Sequence, residues 1–374
     1  MRILRVAQKV YPDVVGGGPY HVHAMSRDQA AMGHNVTVLT VRRDADTPRR
    51  EERDGYTVVR RDATASLLGN EISIGLARDL WGAEEFDVVH AHSHLYFATN
   101  VAAVRRRFGN VPLAITNHGL YSQSAPRWLF DWYLKTAGRW TFNRADVVFT
   151  YTEEERDVLR NRSVTTAIEV VRNGIDQERF TPEGPESESL DGEGPSVLFV
   201  GRLVEGKRPG DAIAAVERLV SEYPSITLAI AGDGPLRSDL EDRVAEAGLD
   251  DVVRFLDHVP YDAMPELYRS ANVLVLPSES EGFPRTVMEA LSTRTPVVTS
   301  DLEQLKSVTD KAGVAVPVGD VDSFAAAIDE VLSDDSAARA DRGRDLAGNR
   351  YAWERTVRQT TNALRRVVEG QADS

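Results

Sequence analysis

The sequence predicts an α/β protein of two doubly wound domains, each a parallel sheet with helices on both faces. Three observations carry that expectation. Short apolar runs alternate with helix-period segments through both halves of the chain, which is the pattern of βαβ units. A stretch rich in Pro, Gly, Ser and acid, Thr181 to Pro195, separates the halves and holds one large apolar residue, Leu190. The chain has 374 residues, enough for two domains that each bury a core.

The start, MRILRVAQKV, is apolar for too short a run to be a secretory segment and reads as a first strand. In the first half strands are expected at Ile3–Ala7, Asn35–Val41, Tyr56–Arg60, Asp87–His90, Leu113–Thr116, Val147–Thr150 and Ile168–Val171. In the second half they are expected at Ser196–Val200, Thr227–Ala231, Val252–Leu256, Val273–Leu276, Val297–Thr299 and Val314–Val316. The expected domains are therefore 1–180 and 196–348, joined by 181–195. The tail, 349–374, has Trp353, Val357, Leu364 and Val367 or Val368 at helical spacing.

Apolar residues make up 42% of the chain and charged ones 27%, the balance of a soluble globular protein. No run approaches the apolar length of a membrane span, so the expected compartment is the cytoplasm. The absence of cysteine excludes disulfides, thiolate metal sites and cysteine nucleophiles. A net charge of −14 argues against a general nucleic-acid binder, which needs a basic surface. Only five lysines contribute to the positive charge. This acidic, lysine-poor balance is similar to that of proteins from salt-loving archaea.

The richest stretch is Ser278 to Asp301, SESEGFPRTVMEALSTRTPVVTSD. It reads as a loop after a buried strand, a helix from about Pro284 to Thr293, and another strand. Glu281 stands where the first strand ends and Glu289 inside the helix. A helix start attracts phosphate, while a carboxylate beside phosphate is better suited to accept from sugar or ribose hydroxyls. The local chemistry thus points to a sugar nucleotide; taken alone, the pair also reads as a loop charge and a solvated helix residue.

Other motifs line up before and after it. Gly16, Gly17 and Gly18 follow the first strand and either bring backbone close to a ligand or make a plain turn into the next helix. His90, His92 and His94 alternate at a strand end; ordinary hydrogen bonding is the preferred reading, and three imidazoles on one face for zinc is the sharper one. His118 sits just past the strand Leu113–Thr116, at the edge where doubly wound sheets bind ligands. Pro126 to Trp140 holds three of the five tryptophans with two arginines and a lysine. Core packing by Trp128, Leu129, Trp132 and Tyr133 is the preferred reading, and a lipid seat through Trp128, Trp132 and Trp140 the alternative. Arg202 and Lys207, in GRLVEGK, are two cations able to clamp a diphosphate.

The pattern E-G-F-P-x-x-x-x-E-A-L followed by T-P-V-V resembles the E-x7-E signature of retaining glycosyltransferases of family 4, which have the GT-B fold. The partner motifs occur in the matching order: the GG loop, DVVHAH, NGID at Asn173–Asp176, GRLVEGK, AGDGP at Ala231–Pro235, and Phe255–Val259. The resemblance implies two Rossmann-like domains facing a cleft, donor bound mainly by the second and acceptor by the first, with the tail helix returning to the first. It assigns the diphosphate to Arg202, Lys207 and the N–H groups at Gly282 and Phe283. It assigns sugar hydroxyls to Glu281 and the ribose to Glu289. Gly232, His258 and Val259 flank the base, Gly17 and Gly18 face the cleft, and His118 contacts the reacting groups. A nucleotide sugar is then the co-substrate, with no metal or other cofactor. The acceptor is a glycan, a glycolipid or a lipid-linked sugar. Three positions depart from the pattern: Pro284, Asp257 and Arg294 stand where glycine is common.

Rival readings share parts of this evidence. A glycosidase would need carboxyl groups roughly 5–9.5 Å apart, whereas eight helical positions span ~12 Å. A sugar-nucleotide epimerase or a phosphorylase can share the fold. A non-catalytic binding subunit would lose the polar residues that are present here.

Overall fold

The computed structural model describes residues 1–67, 69–120, 127–190, 192–333 and 336–372. The chain forms two compact units, Met1–Arg172 with Arg355–Ser374, and Asn173–Glu354.

In the first unit the elements run β1 (Arg2–Val6), α1 (Gly17–Ala31), β2 (Asn35–Arg42), β3 (Arg50–Arg53), β4 (Tyr56–Asp62), β5 (Ala65–Leu67), β6 (Asn70–Ile72), α2 (Ile74–Trp81), β7 (Val88–His92), α3 (Phe97–Phe108) and β8 (Leu113–Thr116). They continue with α4 (Arg127–Tyr133), a π-helical turn (Leu134–Gly138), α5 (Arg139–Phe142), β9 (Val147–Thr150), α6 (Glu153–Asn161) and β10 (Ala167–Val170). The sheet order is β10-β9-β8-β7-β1-β2-β4-β3, parallel except for β3. Its central strands β1, β7, β8 and β9 are buried on both faces and accordingly read as near-continuous apolar runs. β3 escaped the sequence reading because its four residues, REER, carry no apolar signal; it adds to the edge by pairing antiparallel with β4.

Two helical layers cover that sheet. On one face Val22 of α1, with Ala363 and Leu364 of the C-terminal helix, packs on Ile3, Val36, Val38 and Val58. On the other, Leu76, Ala102, Phe142 and Leu159 cover Leu4, Leu39, Val89 and Ile115. Burying one such leucine contributes ~1.5–3 kcal/mol.

The second unit contains β11 (Ser196–Val200), α7 (Pro209–Leu219), β12 (Thr227–Ala231), α8 (Arg237–Glu246), β13 (Val253–Phe255), α9 (Met264–Ser270), β14 (Val273–Leu276), α10 (Arg285–Ser292), β15 (Val297–Ser300), α11 (Lys306–Ala312), β16 (Gly313–Val316), α12 (Val321–Ser333) and α13 (Ser336–Arg350). The final helix, α14 (Trp353–Ala372), starts here and continues into the first unit. The sheet is wholly parallel, in the order β13-β12-β11-β14-β15-β16. Pro209 opens α7 at a position where its missing N–H costs nothing.

The segment Thr181–Pro195 is part of this second unit. Leu190 is buried, Arg269 donates to the carbonyls of Thr181 (3.0 Å) and Pro185 (2.8 Å), and the Ser187 N–H donates to Ser270 Oγ at 2.7 Å. Its composition is that of a linker, but its backbone groups find partners on α9. The unit boundary falls earlier, between Arg172 and Asn173. Among the described residues, no helix is long and apolar enough to cross a membrane.

Candidate active site

Counted along the second unit, its strand order is 3-2-1-4-5-6, so the order reverses between β11 and β14. Doubly wound sheets bind ligands beyond the carboxyl ends of the strands at that reversal. The loops that leave β11 and β14 there are those of Arg202–Lys207 and Ser278–Pro284. They are joined at three points. The Glu279 N–H donates to the Gly206 carbonyl at 2.9 Å, Arg208 bonds Glu279 at 3.2 Å, and the Lys207 ammonium pairs with Glu281. Both members of that pair are largely withdrawn from solvent, with side-chain exposures of 17% and 8%. Gln304 Nε2 donates to the Glu281 carbonyl at 2.6 Å and steadies the loop from behind. Arg202, on the same loop as Lys207, is exposed.

The loop after β12 backs this arrangement. A Cβ on Gly232, whose φ is +148°, would lie 1.9 Å from the Gly201 carbonyl oxygen, and one on Gly234 would lie 2.4 Å from that of Leu203. These glycines are required by backbone meeting backbone, so Gly232 lets its loop pack directly under the Arg202 loop. The Leu203 N–H donates to Asp233 O at 3.0 Å and the Gly232 N–H to Asp257 O at 2.8 Å. Asp257 keeps a left-handed φ of +53° without being glycine. Its carboxylate pairs with Arg237 at 2.7 Å, and that guanidinium lies 4.4 Å over the Phe255 ring. His258 beside it is exposed and Val259 half-buried.

Helix α10 begins after Pro284, whose ψ of 118° is extended. Gly282 is half-buried, and Phe283 is buried with its ring stacked on Tyr351, centroids 4.9 Å apart and planes 18° apart. The ring is thus committed to packing, and what Phe283 can offer a ligand is backbone. Glu289, one turn further along, is 4% exposed. It accepts from Tyr268 Oη at 2.9 Å and Tyr261 Oη at 3.3 Å, and Arg285 Nε lies 3.5 Å from its Oε1. Burial raises its pKa, with Arg285 and the two phenols opposing the shift. In this state Glu289 clamps α9 to α10 rather than standing open for a ribose.

In the first unit the same reversal falls between β1 and β7. Of the three glycines after β1, only Gly16 has a positive φ, +144°; Gly17 and Gly18 are the first residues of α1. The loop is tied to the sheet edge by Asp13, which accepts from Arg60 at 2.6 Å and Arg53 at 3.0 Å. A Cβ on Gly18 would lie 3.8 Å from His118 Nδ1, so the glycine loop and His118 are neighbours. Both nitrogens of His118 are engaged: Nδ1 lies 2.8 Å from Tyr151 Oη and Nε2 2.9 Å from His92 Nδ1. Burial holds its pKa down to about 4, so the ring is neutral and one proton sits in each contact. A ligand that hydrogen-bonds His118 has to displace Tyr151 or His92.

The strand of alternating histidines ends before the third. Ser93 has a φ of +64°, which sends His94 away from the other two to Asn117 Oδ1, 3.1 Å off, and against Phe142. His90 lies 2.7 Å from Thr116 Oγ1 and 3.3 Å from Arg5. Among the described residues, no group of three His, Cys, Asp or Glu side chains is arranged to hold a metal ion.

Comparison with known proteins turns this geometry into an assignment. The model of Glycosyltransferase Family 4 matches residues 15–179, and that of Glycosyl transferases group 1 matches residues 181–345. The glycogen synthase of Mycobacterium tuberculosis (strain ATCC 25618 / H37Rv) is 30% identical over 405 residues, covering 99% of this chain and 96% of that one. The chain belongs to the family 4 glycosyltransferases. This glycosyltransferase is also 29% identical to the D-inositol 3-phosphate glycosyltransferase of Kribbella flavida, over 96% of this chain and 92% of the relative. Its fold is GT-B. Sucrose-phosphate synthase from Thermosynechococcus elongatus superposes with a TM-score of 0.84 at 22% identity, over 99% of both chains. HepE of Anabaena, in complex with UDP-glucose, superposes with a TM-score of 0.80 at 19% identity, over 97% of this chain and 99% of that one.

Within the glycosyltransferase, the expected residues separate into those brought together and those kept apart. Lys207 and Glu281 meet, as do Gly18 and His118. Glu289 is held by Tyr261, Tyr268 and Arg285, none of which sequence reasoning singled out. Arg285 was available from its i,i+4 spacing to Glu289; the tyrosines and Gln304 come from other elements and left no local signal. Tyr151 was missed for the same reason, whereas Glu155 was available from the T-x-x-E spacing of a capping box. Glu155 closes a capping box on Thr152, accepts from the Tyr151 N–H at 2.8 Å, and accepts from Asn117 Nδ2 at 3.3 Å.

The tryptophan segment corrects the preferred reading for Trp128 and Trp132 but not for its other two residues: Leu129 and Tyr133 are half-buried, and Tyr133 Oη donates to the His94 carbonyl at 2.6 Å. Pro126 lies outside the described residues. Trp128 is 72% exposed, Trp132 62% and Trp140 40%, while Phe130, Leu134 and Phe142 face the core.

Proposed function

We propose that this glycosyltransferase moves a hexosyl group, with retention of configuration and without a metal, from a nucleoside-diphosphate sugar to a hydroxyl of a glycan, a glycolipid or a lipid-linked sugar. The observation that carries the reading is the Lys207–Glu281 pair at the reversal of strand order. A cation and a carboxylate on adjoining loops suit the two halves of such a donor. The ammonium takes diphosphate oxygens, and the carboxylate accepts from sugar hydroxyls. The crystal structure of HepE with UDP-glucose, on the same fold, supports a donor of this class.

Breaking the sugar–phosphate bond builds negative charge on the leaving diphosphate, and preplaced donors lower that barrier. Lys207, Arg202 and the N–H groups at the start of α10 are the donors this chain supplies, in the role a metal would otherwise take. Donor binding has to draw Lys207 partly away from Glu281, which leaves the carboxylate to the sugar. Tyr261 makes the longer of the two phenol bonds to Glu289, and its withdrawal would give Glu289 a lone pair for the ribose.

Thermal shift with a panel of UDP-, GDP-, ADP- and dTDP-sugars tests the donor. A ligand at about 100 times its Kd adds ~2.7 kcal/mol to the native state. One nucleotide class raises Tm if the reading holds; no shift with any overturns it. Product analysis in excess chelator tests the rest, since an inverted linkage, an epimer without transfer, or complete loss of turnover would each contradict a stated feature.

A further inference from the structure

From the outer surface of the α2–α3–α5 layer, we infer that the first unit docks on an anionic lipid bilayer. Helix α4, the π-helical turn and α5 turn one side to the core, through Phe130, Leu134 and Phe142. The other side carries Trp128, Trp132 and Trp140, each exposed. Helix α3 packs against both α5 and α2 and extends the same layer. There Phe108 is 74% exposed and Trp81 52% exposed, their rings 6.2 Å apart. Four of the chain's five tryptophans therefore lie in solvent on one helical layer. Scattered exposed apolar residues are normal, but exposed indoles gathered on one layer mark an interaction surface.

Charge selects the occupant. Residues 127–144 contain four basic residues and one acidic, in a chain of net charge −14. The acidic one, Asp131, is already bonded to Arg162 at 2.8 Å. Lys135 and Arg139 are exposed between the tryptophans, and the Arg144 guanidinium lies 5.4 Å from the Trp140 ring centre. A second copy docked face to face would set these cations against themselves. A bilayer with anionic headgroups accepts both components, indoles at the headgroup boundary and cations against phosphate. The inference does not rest on the donor reading.

The test is flotation of the full chain with phosphatidylglycerol–phosphatidylcholine vesicles and with phosphatidylcholine alone, together with tryptophan emission. Binding to the anionic vesicles with a blue shift is expected. Paired Trp128→Ala and Trp132→Ala replacements should weaken it roughly tenfold or more per residue. Paired Lys135→Ala and Arg139→Ala replacements should weaken it about fivefold per cation, and only on anionic vesicles. All four positions are exposed, so unchanged thermal denaturation shows that the variants are folded. Absence of flotation, equal binding by the tryptophan variant, or capture by a neutral glycan gel through the same residues overturns the inference. So does a dimer in light scattering that the tryptophan variant abolishes.

Discussion

Replacing Glu281 by Gln should make the protein bind a free nucleoside diphosphate more tightly while turning over more slowly. In the resting state Lys207 is neutralised by Glu281, and both are nearly enclosed. A diphosphate that reaches Lys207 meets the carboxylate as well. Two unit charges 4 Å apart at an effective dielectric of about 20 interact by ~4 kcal/mol. The incoming phosphate sits further off and partly solvated, so removing the carboxylate should be worth ~1–2 kcal/mol, about tenfold in Kd. Lys207→Ala should act the opposite way, losing a charge-assisted contact of ~1.5–3 kcal/mol. It should also cost stability, because it strands a carboxylate at 8% exposure. The assay is calorimetric titration of wild type and both variants with the diphosphate that gives the largest thermal shift, alongside turnover of the sugar donor. Equal or weaker binding by Glu281→Gln would refute the reasoning, since the pair would then be structural and Lys207 would not be the phosphate ligand.

Three further outcomes follow from other parts of the chain. Arg294 occupies the glycine position of a Schellman motif, with φ +65°, Thr295 N–H donating to Ala290 O at 2.8 Å and Arg294 N–H to Leu291 O at 3.1 Å. In an Asp341→Ala background, which removes its 2.6 Å ion pair, Arg294→Gly should stabilise the second unit by ~0.5–1 kcal/mol, the strain of ~1–2 less the entropy cost of glycine. A destabilisation in chemical denaturation would contradict this. Glu155 is pushed up to about 7 by burial, against the N–H groups of Tyr151 and Thr152. The folded chain therefore keeps this proton where the unfolded chain releases it near 4.5, and stability falls as pH rises from about 4.5 to about 7 and stays lower above. Glu155→Gln should gain roughly 3 kcal/mol relative to wild type across that window, measured by denaturation at each end; a constant difference would show that the carboxyl ionises normally. The acidic, lysine-poor surface should make Tm climb from dilute buffer to molar KCl as salt screens self-repulsion, and full stability in dilute buffer would count against adaptation to salt.

The strands and their alternation were legible in the sequence, because a parallel strand covered on both faces has to be apolar throughout. Leu113–Thr116, Ser196–Val200 and Val273–Leu276 are strands at the expected residues. The sequence also marked the backbone at Asp257 and Arg294. Both stand where glycine is common in the family, and both hold a left-handed φ in the fold. The candidate donor residues were legible as types and spacings, but the decisive contact was not. Lys207 and Glu281 are 74 positions apart and meet only because the sheet order places β14 beside β11. Periodicity could not tell which side of the tryptophan helix faces inward, since both sides are apolar and the π-helical turn shifts the phase between them. It could not show that Glu289 would be enclosed by Tyr261 and Tyr268, or that His118 would have both nitrogens taken. Local conformation follows from neighbours a few residues away, whereas burial and charge pairing are settled by elements that become neighbours only when the sheets assemble.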